Sequence, residues 1–328
     1  MQVKIVNPKN GKLLYRFQDS LVDEGGESFP IIYGVPRISE LDNYSNNFGV
    51  QWNIFDKTQL DRESEGLDTS QARFFAETHW DLEDLQGKNI LEVGSGAGRF
   101  SKVVLEKTKG TLYSVDYSDA VTANYRNNGS IAPERFNLFQ ASIYEMPFPD
   151  ESFEKIFCFG VLQHTPNFEE SIKSLISKAM LGGEIVVDFY PINGWWTKIS
   201  AKYILRPILK KLSHARLLRL IENNVDWMMV VSQFLHKIGL DILTRFLPVV
   251  DLRTVSGLRL DSKQLREWVV LDTYDMFSPI HDHPQRIADV VAMFERYGAR
   301  VTFAGFEEFD TGARAAVVRG VRQNVFAI

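Results

Sequence analysis

The stretch Asn89-Ile90-Leu91-Glu92-Val93-Gly94-Ser95-Gly96-Ala97-Gly98-Arg99-Phe100 decides the fold. A short apolar run ends in three glycines at alternate positions. Phe100, Val103 and Val104 then recur at helical spacing before Gly110, so the segment reads as strand, turn and helix. Such glycines let bare backbone approach a ligand, and the helix N-terminus behind them can face a carboxylate or a phosphate. A dinucleotide fingerprint needs its third glycine three positions after the second; here the glycines fall at 94, 96 and 98, one residue short.

Working outward, the unit recurs. Residues 111–116 read as a strand and 118–128 as a helix closed by Gly129, and 137–142 and 155–160 supply two more strands. Asn167 with Glu170 forms a capping-box pattern for a helix whose apolar stripe is Ile172, Leu175, Ile176 and Ala179. Gly182-Gly183 is expected to end that helix, and 184–190 is the next strand. A helix over 284–297 and a hairpin of 299–306 with 312–321 complete the pattern. Alternating strands and helices imply an α/β, doubly wound, mostly parallel sheet whose ligand lies beyond the carboxyl ends of the strands. The site is therefore expected near residues 94, 116, 142, 160 and 190.

Around this core, residues 1–38 carry short β-type runs broken by Asn7-Pro8, Asn10-Gly11, Gly25-Gly26 and Val35-Pro36, a small β module. Residues 39–87 are polar and aromatic and read as a helical collar. The core occupies 88–190, a mostly helical lid insertion 191–283, and the C-terminal part of the core 284–328. With 328 residues, 45% hydrophobic, 24% charged and a formal net charge of −5, the composition excludes fibrous and disordered classes and offers no general attraction to phosphate backbones. Cys158 is the single cysteine, which excludes an intramolecular disulfide and a cysteine-based zinc site and fits a reducing, cytoplasmic setting. The first eight residues lack the apolar run of a signal peptide, and no uncharged apolar stretch approaches the ~20 residues of a membrane-spanning helix.

The Glu92-Val93-Gly94-Ser95-Gly96-Ala97-Gly98 segment, with its acidic residue two before the first glycine, resembles motif I of the class I S-adenosylmethionine (SAM) dependent methyltransferases. The resemblance covers roughly 88–190 and 284–322. It implies a seven-stranded Rossmann-like sheet with a C-terminal antiparallel hairpin, and SAM as cofactor. Asp116 matches the acidic residue that holds the ribose hydroxyls. Gln140 to Phe148, followed by Phe153-Glu154-Lys155-Ile156, resembles the stretch ending in Leu-Pro-Phe of the ubiquinone/menaquinone-type methyltransferases; Ser142 stands where that family usually has Asp. By this resemblance Glu92, Gly94, Ser95, Gly96, Gly98, Asp116, Tyr117, Ser142, Ile143 and Gly160 are the cofactor-binding candidates. Val161-Leu162-Gln163-His164 sits where the family has a histidine after strand four. Phe29 to Arg37 resembles the end of small zinc-ribbon-like domains partnered with methyltransferases, here without their cysteines. Asn47 to Trp52 and Lys57 to Asp61 resemble the collar of methyltransferases encoded with glycan or secondary-metabolite pathways.

Methyl transfer from a sulfonium chiefly needs alignment and exclusion of water, a positioning effect of up to roughly 7 to 11 kcal/mol. A hydroxyl acceptor must also lose a proton, for which a histidine is suited. Leu271 to Pro284 packs two histidines, three aspartates and a tyrosine into the end of the insertion, so His281 and His283 are candidate bases, with His164 placed near the sulfonium by its position after strand four. Tyr190, Trp195 and Tyr274 are the candidate substrate contacts. No metal set is evident. Residues 190–221 carry seven Lys and Arg and no Asp or Glu, with Trp195-Trp196 at their start. That pattern fits either a solvated lid face or peripheral contact with an anionic membrane through 195–220. The expected acceptor is a small molecule or a glycan- or lipid-linked sugar, methylated at oxygen. The alternatives are carbon methylation of a quinone-like acceptor and a SAM-binding module without turnover. The acidic total argues against nucleic acid, and the oligomeric state is open.

Overall fold

The computed structural model describes residues 2–40, 43–62, 67–192, 194–255, 257–309 and 313–323. Gly312, expected to open the last strand, lies outside them. The chain opens with a four-stranded antiparallel sheet, β1 (Leu14–Phe17), β2 (Ser20–Asp23), β3 (Ser28–Ile32) and β4 (Val35–Pro36), in sequential order. This is the small β module. Its apolar side is continuous with the main core: Val3, Leu14, Leu21, Phe29 and Ile38 pack in one cluster with Tyr113, Phe139 and Phe148. The Val3 amide donates to the Tyr113 hydroxyl at 2.9 Å and the Val6 amide to the Pro147 carbonyl at 3.0 Å.

Two collar helices follow, α1 (Asn46–Ile54) and α2 (Thr69–Thr78). The core then alternates β5 (Asn89–Val93), α3 (Arg99–Lys107), β6 (Thr111–Asp116), α4 (Ala120–Asn128), β7 (Phe136–Gln140), β8 (Phe153–Cys158), α5 (Phe168–Lys178) and β9 (Ala179–Phe189). The insertion contributes α6 (Ala201–Leu209), α7 (His214–Lys237), α8 (Asp241–Thr244) and α9 (Ser262–Phe277). The chain returns through α10 (Ile287–Arg296), β10 (Ala299–Glu308) and β11 (Arg314–Arg322). The large sheet runs β10-β11-β9-β8-β5-β6-β7, with β5 to β9 parallel and β11 antiparallel to both neighbours. Because both faces are covered, β5, β6 and β8 bury nearly every residue, the few polar ones such as Glu92, Ser114 and Lys155 included, instead of alternating buried with exposed positions.

Strand order reverses at β5, which pairs β6 on one side and β8 on the other. At this switch point the two helical connections diverge and leave a crevice above the strand ends. The insertion roofs it with a second core, in which Leu217, Ile221, Val225 and Met228 of α7 meet Trp268, Leu271 and Tyr274 of α9.

Several local expectations are corrected. The helix before β9 ends at Lys178, and Gly182-Gly183 lies inside β9: a Cβ on Gly183 would come within 2.8 Å of the Met180 and Phe153 carbonyls, so a close backbone approach requires that glycine. The Asn167 side chain does accept from the Glu170 amide at 3.1 Å, but the Glu170 carboxylate pairs with Lys173 at 2.9 Å. The helix expected from Pro284 begins at Ile287, with Arg286 as its N-cap. The preceding backbone is engaged elsewhere, the Gln285 amide on the Tyr190 carbonyl at 3.0 Å and the Ile192 amide on the Gln285 carbonyl at 2.8 Å.

Candidate active site

The crevice above β5 is a cleft of about 690 Å³, within the usual size of small-molecule sites. Its floor is the glycine turn. Gly94 has φ +84° and a Cβ there would fall 2.1 Å from a Val161 methyl, so only glycine fits. The indole of Trp52, from α1, lies over Gly96. Ser95 and Gly96 line the cleft, whereas Gly98 does not: its φ is +88°, and a Cβ would sit 2.2 Å from Asn124 and Asn128. Gly98 therefore serves the packing of α3 on α4.

Asp116 stands at the end of β6. Its Oδ1 accepts from the Ser118 amide (2.8 Å) and hydroxyl (2.6 Å), and its Oδ2 from the Gly96 amide at 2.8 Å. Burial raises its pKa, and those three donors oppose the shift. A carboxylate held against the glycine turn can accept two vicinal hydroxyls. Tyr117, Ile143 and Gly160 also line the cleft. Ser142 does not; its hydroxyl accepts from the Tyr144 amide at 3.2 Å and caps that turn, so its side chain is spent within the loop. Glu92 is likewise beneath the loop and not on its surface. It is fully buried and accepts from the hydroxyls of Ser101 and Ser114. Burial pushes its carboxyl up to about 7, against those two hydrogen bonds. The polar chain continues from Ser101 to Asn124 (2.9 Å), to Asn128 (2.8 Å) and to the Gly98 carbonyl (2.9 Å), so Glu92 anchors the network that fixes the turn.

The far half of the cleft is charged. Arg73 of α2 ion-pairs with Glu77 and with Asp188 of β9, and Asp188 also accepts from the Gly160 amide. Arg99, first residue of α3, donates to Gln59 Oε1 (2.8 Å) and Ser70 Oγ (3.1 Å); among the described residues it has no carboxylate within ion-pairing distance. Burial and the nearby Arg73 lower its pKa to about 10. Asp272 of α9 accepts from Gln59 (3.1 Å) and Trp268 (3.1 Å), and burial with the neighbouring Asp275 pushes it up to about 7. Arg99 was visible as the residue after Gly98, and Asp272 as one of the three aspartates in the Leu271 to Pro284 stretch, but nothing in the collar pattern marked Arg73.

The three histidines separate clearly. His164 lines the cleft and is buried. Its Nδ1 lies 3.1 Å from the His281 carbonyl, which can only accept, so Nδ1 carries the proton. Its Nε2 lone pair is buried without a partner among the described residues. Burial lowers its pKa, so the ring is neutral at physiological pH. The adjacent Gln163 amide is also buried and unpartnered. His281 and His283 do not line the cleft: they stack on each other at 5.7 Å, and His283 is exposed. What they supply is backbone, the His281 carbonyl to His164 and the His283 amide to the Gln163 carbonyl at 2.8 Å.

Of the expected substrate contacts, Tyr190 lines the cleft, its hydroxyl 3.3 Å from Asp275 and its ring 4.4 Å under Lys202 Nζ. Trp195 is 81% exposed and outside the cleft, and Tyr274 is buried in the insertion core with its hydroxyl 2.8 Å from His214. The reason is local: Trp195 sits on a 3₁₀ turn leading away from β9, and Tyr274 faces α7 on the opposite side of α9 from the cleft. Among the described residues, no group of three His, Cys, Asp or Glu could hold a metal ion.

Residues 91–187 match the methyltransferase domain family. The core over this span is a methyltransferase domain. The matched span carries the glycine turn, Asp116 and His164. Curated relatives include a tRNA U34 carboxymethyltransferase of Idiomarina loihiensis, 28% identical over 34% of this chain and 36% of that protein. Another of that name from Haemophilus influenzae is 21% identical over 63% and 59%, and phosphoethanolamine N-methyltransferase 3 of Arabidopsis thaliana is 29% identical over 32% and 22%. The chain thus spans little more than a third of the first of these relatives. Among solved structures, magnesium protoporphyrin IX methyltransferase from Synechocystis PCC 6803 with bound SAH aligns over 85% of this chain and 97% of its own, at 14% identity and a TM-score of 0.47.

Proposed function

We propose that this chain transfers the methyl group of SAM to an acceptor held between the glycine turn and the insertion, with His164 as the base. The observation that carries this reading is one cleft with Asp116 and the turn at one end and the unpartnered Nε2 of a neutral, buried histidine beside it. SAM supplies a methyl carbon on a cationic sulfur. Asp116 would hold the ribose hydroxyls, Ala141 and Ile143 would flank the adenine ring, and Arg99 is the cation available to the amino-acid carboxylate. Trp52, Phe48 and the insertion exclude water, which strengthens every charge interaction inside the cleft. For a hydroxyl acceptor, His164 Nε2 would take the proton as the new oxygen–carbon bond replaces the carbon–sulfur bond and S-adenosylhomocysteine leaves, and the His281 carbonyl would stabilise the resulting imidazolium through Nδ1–H.

The acceptor is a polar small molecule or a glycan- or lipid-linked sugar, with oxygen as the favoured atom. Arg73, Asp188, Asp272 and Asp275 around its end of the cleft weigh against a quinone-like acceptor. A second reading rests on the relatives named for tRNA U34: a nucleoside in RNA also presents polar edges to such a site, so nucleic acid is not set aside on the acidic total charge. Release of S-adenosylhomocysteine across lipid-linked sugars, free glycosides and total tRNA separates these readings. Turnover on a hydroxylated non-nucleic acceptor supports the first; turnover on tRNA alone would replace it with the second. Binding of SAM without turnover on any acceptor would favour a non-catalytic module.

A further inference from the structure

Helices α6 and α7 bury one apolar face and leave another bare, and α8 leaves its apolar side chains exposed. On α7, Leu217, Ile221, Val225 and Met228 face the insertion core, while Leu220, Trp227, Val230, Phe234 and Ile238, spaced to fall on one side of the helix, are each 44–64% exposed. The bare surface continues through Leu240, Ile242, Leu243 and Phe246. The Arg245 side chain then ties that end to Trp196 (2.7 Å to its carbonyl), beside the exposed Trp195 and Ile199, and Ile204 and Ile208 extend it along α6. A monomeric soluble protein rarely leaves so many large apolar side chains adjacent to one another.

The charge on this region is as uneven as its hydropathy. Residues 195–246 hold nine Lys and Arg against three Asp and Glu, in a chain whose total is −5. Lys202 and Arg206 turn inward to Asp282, at 3.0 and 2.8 Å. Lys198, Lys210, Lys211, Arg216, Arg219 and Lys237 remain exposed among the apolar side chains. Aromatic and aliphatic groups interleaved with cations fit the interface of an anionic bilayer, where the apolar groups enter the headgroup boundary and the cations meet lipid phosphates. A nucleic acid would leave the aliphatic side chains in water, and a second copy of the chain would bring like charges together. Among the described residues no helix is long and apolar enough to cross a membrane.

We propose that the surface of residues 195–246 docks on an anionic lipid bilayer. This goes beyond the methyl-transfer reading and needs no turnover. Because α6 also supplies Lys202 and Tyr203 to the cleft, the docked face and the acceptor end of the site share one helix.

Flotation of the full chain with phosphatidylglycerol-containing vesicles, against pure phosphatidylcholine, tests it. The expected result is at least roughly tenfold stronger partitioning to the anionic vesicles, weakened by salt. Trp195→Ser with Phe234→Ser, and separately Lys210→Glu with Lys211→Glu, should each lower that partitioning at least roughly tenfold with an unchanged melting curve, since all four side chains are exposed. Absence of binding to anionic vesicles overturns the proposal. So does a stable dimer that the Trp195→Ser, Phe234→Ser pair converts to monomer without any vesicle binding, or binding of RNA by the same face in place of vesicles.

Discussion

In the proposed reaction His164 serves as base by construction rather than by composition. A carbonyl on Nδ1 fixes the tautomer, burial holds the ring neutral, and Nε2 is left to the cleft. His164→Ala should lower kcat by roughly 10² to 10⁴ on a hydroxyl acceptor while SAM affinity stays within about twofold by titration. Only the neutral ring accepts a proton, and burial holds its pKa below the ordinary 6.5, so the rate should fall on the acid side through that lowered value and stay flat above it. A profile whose acid limb is unchanged in His164→Ala would move the base elsewhere. The sequence placed this histidine after strand four but favoured His281 and His283, because two histidines with an aspartate look like chemistry when only their spacing is visible. What separates them is a carbonyl 117 residues away from His164, a contact that no local pattern encodes.

At the scale of the element, the turn from β5 to α3 was legible because its glycines, the apolar run before them and the helical stripe behind them agree with one another. Which glycine does what was not. Gly98 packs α3 against α4, and Glu92 works from below through Ser101, Asn124 and Asn128. The Glu92 carboxyl is raised from 4.5 to about 7, so its contribution to stability is present below 4.5 and is lost as pH rises through about 7. Glu92→Gln should therefore be near neutral at pH 5 and stabilising at pH 8, by up to about 3 kcal/mol. Urea unfolding of both proteins at the two pH values reads this directly; an equal effect at both would mean that the carboxyl is charged in the fold. The boundary at Gly182-Gly183 was misread because a glycine pair marks a close backbone approach within β9 as readily as a helix end.

For the whole molecule, strand alternation gave the doubly wound sheet, its C-terminal hairpin and the crevice, but not what closes over it. The collar and insertion supply Trp52, Arg73, Asp272 and Lys202 to the cleft from segments whose own periodicity only says helix. The N-terminal sheet carried no signal of its dependence on the core, since Val3, Leu21 and Phe29 meet Tyr113 and Phe148 only in three dimensions. Removing residues 1–38 bares that apolar face. The truncated chain should lose its cooperative melt and aggregate, whereas the intact chain should unfold with the N-terminal sheet and core in one calorimetric transition. Two separated transitions in the intact chain would show the sheet to be independent.

The central claim is that the crevice at β5 and β6 is built for SAM, with Asp116 on its ribose. Isothermal titration of SAM into the intact chain and into Asp116→Ala addresses it most directly. The account predicts saturable binding that the substitution weakens by about 10- to 100-fold, the loss of hydrogen bonds to a charged group, with a cooperative melt retained at a lower midpoint because the Gly96 and Ser118 donors lose their acceptor. No heat of binding in the folded wild-type chain, or equal affinity in the two proteins, would contradict it.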